Sequence, residues 1–172
     1  MPKVLIISDS HGWRDEVSQI KDRHSEEVDQ FIHCGDSELE TDATELNQYL
    51  TVAGNCDFAS KFPNEVEITI GTLNFFVTHG HLYDVKSTLM RLDYRAEELG
   101  AHVVCHGHSH IAKAEKIGNR IILNPGSIRL PRMRREGTYA IMSWESMDDI
   151  LIEFYTLQGH KVEDLTFQTS LS

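Results

Sequence analysis

At 172 residues the chain is long enough to bury one sizeable core, and 40% hydrophobic with 25% charged side chains is ordinary globular composition. A formal net charge of −11 works against nucleic acid as a partner, because phosphate neutralisation and counterion release need a basic face. No apolar run approaches the roughly 20 residues that span a bilayer, and the apolar stretch after Met1 is too short for a signal peptide. One cytoplasmic domain over residues 1–172, with no membrane contact, is expected.

The first element is Val4-Leu5-Ile6-Ile7, a continuous apolar run that suits a strand covered on both faces. A helix is expected over Arg14 to Ser25, with Val17, Ile20 and either Lys21 or His24 on one face. Val28 to His33 reads as a second buried strand. Leu39, Ala43, Leu46 and Leu50 recur at three- and four-residue steps, which predicts a second helix over Glu38 to Tyr49. Thr51-Val52-Ala53 then reads as a third strand, and the alternation predicts an α/β unit with parallel pairing.

Beyond it the pattern changes. Glu65 to Ile70 alternates with period two, Gly71-Thr72 turns, and Leu73 to Val77 returns as a hairpin partner. A helix from Val85 to Leu99 is expected to close at Gly100, followed by the buried strand Val103-Val104-Cys105. Ile111 to Ile117, Arg120 to Leu123, Thr138 to Trp144 and Ile150 to Leu157 read as antiparallel strands, with Gly118-Asn119 as a two-residue turn. Two mixed sheets with helices on their outer faces are expected.

The three cysteines form no CxxC pair, and their odd number argues against a disulfide framework. Cys105 reads as a small buried thiol and Cys34 as packing at a strand end. Five clusters stand where apolar runs give way to turns: Asp9-Ser10-His11, Gly35-Asp36, Gly54-Asn55-Cys56-Asp57, His79-Gly80-His81 and Gly107-His108-Ser109-His110. Strand carboxyl ends gather along one edge of an α/β sheet, so these loops can converge. Their oxygen and nitrogen donors suit manganese, iron, zinc or nickel. The donors are too many for one tetrahedral ion and suit two ions sharing a carboxylate, an apparatus for hydrolysing a phosphate ester.

Asp-x-His, Gly-Asp, Gly-Asn, His and Gly-His-x-His, in that order, resemble the calcineurin-like metallophosphoesterase superfamily. The short length, Gly54-Asn55-Cys56-Asp57 and Asn124-Pro125-Gly126-Ser127 are similar to its small bacterial and archaeal phosphodiesterase branch. The resemblance runs from Asp9 to about Arg132. It implies a four-layer αββα sandwich with the metal site at the strand carboxyl ends. It implies that Asp9, His11 and His110 hold one metal, that Asn55, His79 and His108 hold a second, and that Asp36 bridges them. The implied cofactors are two divalent ions, with manganese favoured over nickel, zinc or iron, and the implied substrate is a small phosphodiester.

Cys56 departs from the pattern. Many superfamily members carry His there, where it is thought to protonate the leaving group or bind phosphate. A thiol with an ordinary pKa near 8.5 is a poorer acid than imidazolium at neutral pH, so activated or aryl diesters are expected substrates unless His81 fills the role. Cys56 as a structural residue is the alternative. Asn55 has a carbonyl for the metal and an amide for a phosphate oxygen, so the candidate catalytic residues are Asn55, Cys56 and His81.

Each cluster has a plainer explanation taken singly: Asp9 and His11 as turn formers, Asp36 as a cap, Asn55 as a turn residue. Independent explanations at successive strand ends are the weaker account. His33, His106 and His81 are expected to donate ring N–H groups to nearby carboxylates or carbonyls, whereas His24, His102 and His160 carry no functional expectation. Ser127 and Arg129 are placed beside the substrate by the resemblance. The basic stretch Arg129 to Arg135 is either a solvated loop or a phosphate-steering lip. The competing functions are a nuclease, disfavoured by the acidic balance, and a non-catalytic scaffold like the small retromer subunit of this fold, disfavoured by seven competent donors. The sequence leaves the oligomeric state open, with an exposed apolar strand or helix face in the C-terminal region as the route by which a homo-oligomer could form.

Overall fold

The computed structural model describes residues 1–58 and 60–172. Its strands are β1 (Lys3–Ile7), β2 (Gln30–His33), β3 (Tyr49–Thr51), β4 (Glu65–Ile70), β5 (Leu73–Thr78), β6 (Val103–Cys105), β7 (Lys113–Ile117), β8 (Arg120–Asn124), β9 (Thr138–Ser146), β10 (Asp149–Thr156) and β11 (Phe167–Thr169). The α-helices are α1 (Asp15–His24) and α2 (Met90–Leu99). One sheet runs β11-β10-β9-β1-β2-β3 and the other β4-β5-β6-β8-β7. In each, three parallel strands are joined to antiparallel ones: β1-β2-β3 in the first and β5-β6-β8 in the second.

Side-chain alternation along these strands creates three apolar layers. Val4, Ile6, Ile32, Phe75, Val77, Val103, Met142 and Trp144 meet between the sheets. Leu5, Ile7, Phe31 and Ile141 face outward under Val17 and Ile20 of α1. Phe76, Val104 and Ile122 face outward on the other side under Leu92 and Ala96 of α2. The order is therefore helix, sheet, sheet, helix, the expected four-layer αββα sandwich. Strands covered on both faces need continuous apolar sequence, as Val4 to Ile7 and Val103 to Cys105 have.

The expected helix over Glu38 to Tyr49 is not present; a single 3₁₀ turn, Thr44–Leu46, stands in its place. Leu39, Ala43 and Leu46 are buried against the first sheet, so the three- and four-residue spacing marked the correct face. Helix formation is prevented at its start, where Asp36 and Glu38 take left-handed φ values of 57° and 54°, and Thr41, Asp42, Thr44 and Asn47 favour turns over helix. The third strand is Tyr49–Thr51 rather than 51–53, because Ala53 N–H leaves the sheet to bond Pro63 O. The second helix begins at Met90, not Val85, where the Thr88 hydroxyl accepts the Met90 N–H. It closes at the left-handed Gly100 as expected. β2 begins at Gln30 rather than Val28 and β7 at Lys113 rather than Ile111, while β11 had no sequence signal.

Both predicted hairpins are present, with Ile70 opposite Leu73 and Ile117 opposite Arg120. Of the two alternatives for the apolar face of the first helix, Lys21 and His24, it is His24 that is buried, at the end of α1. Its Nε2 lies 2.7 Å from the Tyr139 hydroxyl and its Nδ1 2.5 Å from Glu27.

Leu92 is fully buried and is the main large side chain by which α2 covers the second sheet. Leu92→Ala is expected to lower unfolding free energy by about 2–5 kcal/mol, read as a shifted midpoint in urea denaturation.

Candidate metal centre

All six parallel strands point their carboxyl ends toward one edge. β1 leads to Asp9 and His11, β2 to Asp36, β3 to Asn55, β5 to His79, β6 to His108 and His110, and β8 to the turn holding Ser127. The loops are laced together by backbone bonds: Asp9 N–H to Gly35 O, His11 N–H to Asp36 O, Gly12 N–H to Ser37 O and Gly107 N–H to His79 O. Asp9, His11, Asp36, Glu38, His108 and His110 all have positive φ, between 44° and 71°. Side chains other than Gly adopt this region reluctantly, and strained backbone concentrates at functional sites.

The ring nitrogens are oriented by partners behind them. His79 Nδ1 donates to Cys34 O at 2.8 Å and His110 Nδ1 to Leu130 O at 2.8 Å. His11 Nδ1 lies 2.6 Å from Glu38 Oε1. A carbonyl only accepts, so Nδ1 of His79 and of His110 carries a proton, and each ring turns its Nε2 into the site. Carbonyl and carboxylate partners of this kind are how metal-ligating imidazoles are held.

The ring nitrogens converge on the carboxylates. His11 Nε2 and His110 Nε2 stand 3.3 Å apart. Asp9 Oδ1 is 3.1 Å from His110 Nε2, 3.7 Å from His11 Nε2 and 3.8 Å from His79 Nε2, and it is buried with no hydrogen-bond partner. His79 Nε2 also meets Asn55 Oδ1 at 3.0 Å and Asp36 Oδ2 at 3.2 Å. Converging acceptors around an orphaned buried carboxylate oxygen require positive charge. Protons supply it in part: the facing carboxylate of Asp9, and then Glu38 on the other ring nitrogen, push His11 up to about 9. Burial opposes ionisation of Asp9, but His11, His110 and His79 outweigh it and hold the carboxyl well below the usual range. Divalent cations fit the same positions. Asp9, His11 and His110 place donor atoms within 4.8 Å of one another, as do Asp9, Asp36 and His79, and also His11, Asp36 and Cys56. Asp36 is common to the last two groups.

The seven expected ligands are thus gathered at one edge, with His108 the least engaged. It joins none of these triads among the described residues. Its backbone N–H donates to Asp9 Oδ2 at 3.2 Å, and its ring centroid lies 5.1 Å from that of His79. Burial, followed by the charge of His79, pushes it down to about 4, which keeps it neutral and available as a donor.

Cys56 and His81 stand on the same wall. Burial, then the carboxylate of Asp36, pushes the Cys56 thiol up to about 11. His81 has a buried Nδ1 with no partner and a ring centroid 5.4 Å from His79. Burial, then the charge of His79, lowers its pKa, which works against the imidazolium an acid needs. The other flanking histidines act on the loops. His33 accepts the Gly35 N–H at Nδ1 and bonds the Ser10 hydroxyl at Nε2, and His106 donates to Gly107 O.

Ser127 is fully buried, donates to Asp9 O and accepts N–H bonds from Arg129 and Leu130, so the expectation that it touches substrate is corrected. Arg129 lies at the rim, bonded to His11 O, with its guanidinium 5.5 Å from the Trp13 ring. Farther along the basic stretch, Arg134 is paired with Asp164.

Two residues without an assigned role in the sequence analysis prove central. Glu38 orients His11. Asp57 accepts the N–H groups of Asp36, Gly54 and Glu38, locking two loops together. Asp57 already stood inside a ligand cluster, whereas Glu38 had only its place two residues after Asp36. The loops also approach closely: an added Cβ on Gly54 would overlap Asp36 Oδ1, and one on Gly107 would overlap Ser8 Oγ.

Residues 2–147 match the family model of the calcineurin-like phosphoesterase superfamily domain. The probable metallophosphoesterase YsnB of Bacillus subtilis is 52% identical over 168 residues, covering 98% of this chain and 99% of that protein. The crystal structure of a predicted phosphoesterase from Streptococcus pneumoniae TIGR4 has a TM-score of 0.94 and 34% identity, covering 98% of this chain and 97% of that one. The phosphodiesterase YfcE of Escherichia coli K12 is 27% identical over 104 residues, 56% of this chain and 53% of YfcE.

Gly54→Ala must displace the Asp36 carboxylate. Manganese affinity, measured by isothermal titration calorimetry, is expected to fall about 10–100-fold, the range for losing the support behind a ligand.

Proposed function

The chain belongs to the calcineurin-like phosphoesterase superfamily, and from that premise we propose that it is a divalent-metal-dependent phosphodiesterase acting on a small phosphodiester. The observation that carries the proposal is the buried, unpartnered Asp9 Oδ1 amid converging imidazole and carboxylate acceptors. Asp9, His11 and His110 would hold one ion and Asn55, His79 and His108 the other, with Asp36 shared. Two such ions supply Lewis acidity toward the phosphoryl oxygens and a water made nucleophilic near neutral pH. Manganese suits this oxygen- and nitrogen-rich set, with nickel, zinc and iron as the alternatives.

The protein's own groups then set which ester is cleaved. Asn55 offers its carbonyl oxygen inward, while its amide reaches the Cys56 sulfur at 3.6 Å and keeps a second N–H for a phosphoryl oxygen. A leaving oxygen needs a proton in proportion to its basicity. Cys56 holds its proton too tightly to be a useful acid, and partly buried His81 favours its neutral form. A good leaving group such as an aryl oxide departs without that help, and an alkoxide does not. Aryl or otherwise activated diesters are therefore the proposed class.

The net charge of −11 disfavours a polyanionic substrate, and the intact donor set disfavours a scaffold role. The name of YfcE, a phosphodiesterase, supports the same class. Free Cys34, Cys56 and Cys105 suit a reducing compartment such as the cytoplasm.

Bis-nitrophenyl phosphate with added manganese, run beside single-stranded DNA, tests the proposal. Turnover of the diester alone is expected. Turnover of neither substrate favours a scaffold, and turnover of the DNA favours a nuclease. Asp36→Ala is expected to abolish turnover, and wild-type rates in that variant would overturn the shared-carboxylate assignment. Cys56→His is expected to raise turnover of an alkyl phosphodiester by about tenfold or more, since general acid catalysis contributes roughly 10²–10⁴-fold. An unchanged alkyl rate would show that a missing acid is not what limits the enzyme.

A further inference from the structure

We propose that the sulfur of Cys56 is itself a metal ligand, completing the ion position formed with His11 and Asp36. The proposal rests on the metal-dependent function above and extends it to a residue outside the seven-ligand set. Cys56 Sγ, a His11 ring nitrogen and an Asp36 carboxylate oxygen lie within 4.8 Å of one another. Metal–sulfur bonds are about 2.3 Å and metal–nitrogen bonds about 2.0–2.1 Å, so two donors on one tetrahedral ion stand about 3.5 Å apart. Small side-chain shifts close the remaining difference.

The sulfur is held toward that position. Cys56 N–H donates to Asp36 Oδ1 at 2.8 Å and the Asn55 amide reaches Sγ at 3.6 Å. Asp57 fastens both Gly54 and Asp36 from behind. An independent sign that cations belong in this cleft is Asp9 Oδ1, fully buried and without a partner. Coordination replaces one water on the ion with thiolate, and the thiol proton passes to solvent. Two consequences follow. A bound sulfur has no proton to give a leaving group, and a soft donor shifts preference from manganese toward cobalt, zinc or cadmium.

Cobalt(II)-loaded protein provides a readout independent of activity. The wild type is expected to show visible ligand-field bands together with a near-ultraviolet thiolate-to-cobalt charge-transfer band. Cys56→Ser is expected to lose the near-ultraviolet band and keep the visible ones. Visible bands without the near-ultraviolet band in the wild type would overturn sulfur ligation and leave the metal centre standing. No visible bands would overturn both, and a near-ultraviolet band surviving in Cys56→Ser would also overturn sulfur ligation.

A second measurement needs no variant. Cys34 and Cys105 are fully buried and Cys56 is partly exposed, so a thiol reagent added to native protein reports on Cys56. Zinc loading is expected to slow that reaction about tenfold or more, because a metal-bound sulfur is a weaker nucleophile than the free thiolate. An unchanged rate would overturn the assignment.

Discussion

The unbalanced meeting of acceptors at the strand ends governs this structure. Asp9 Oδ1, the Nε2 atoms of His11, His79 and His110, Asn55 Oδ1 and Asp36 Oδ2 crowd into one cleft, and Asp9 Oδ1 is buried there with no hydrogen-bond partner among the described residues. Six residues there, Asp9, His11, Asp36, Glu38, His108 and His110, sit in the left-handed region. Each such residue costs about 1–2 kcal/mol, so together they rival the net stability of a whole domain, about 5–15 kcal/mol. The three apolar layers are what hold the loops in this unfavourable arrangement.

The fold makes that convergence possible because two mixed sheets share one interior. Each contributes three parallel strands, and their carboxyl ends open on the same edge. The antiparallel strands add area to the core and leave the site's chemistry to the parallel half. Close packing between loops then fixes distances: Gly54 and Gly107 lie too near Asp36 and Ser8 for a side chain, and Asp57 ties two loops with three backbone bonds.

Charge follows from the same geometry. Asp9 stays ionised despite burial because three imidazoles face it, and His11 is raised because Asp9 faces it. Before any cation binds, the neighbouring wall behaves oppositely: Cys56 is raised and His81 lowered, so both favour their uncharged forms. A cleft that gathers charge at its centre and holds no ready proton donor on its wall favours charge neutralisation over proton delivery.

Strands such as Val103–Cys105 and the hairpin from Glu65 to Thr78 were legible because period-two or continuous apolar sequence has one physical solution on a sheet. The ligand clusters were legible because they follow those strands in order. Chain-local pattern was insufficient between Asp36 and Tyr49, where Leu39, Ala43 and Leu46 had helical spacing but loop contacts at Asp36 and Glu38 imposed turns. Only the tertiary structure assigned Glu38 to His11, removed Ser127 from the cleft and brought the Cys56 sulfur beside His11 and Asp36. Those outcomes depend on contacts between residues distant in the chain, which local propensity and periodicity do not encode.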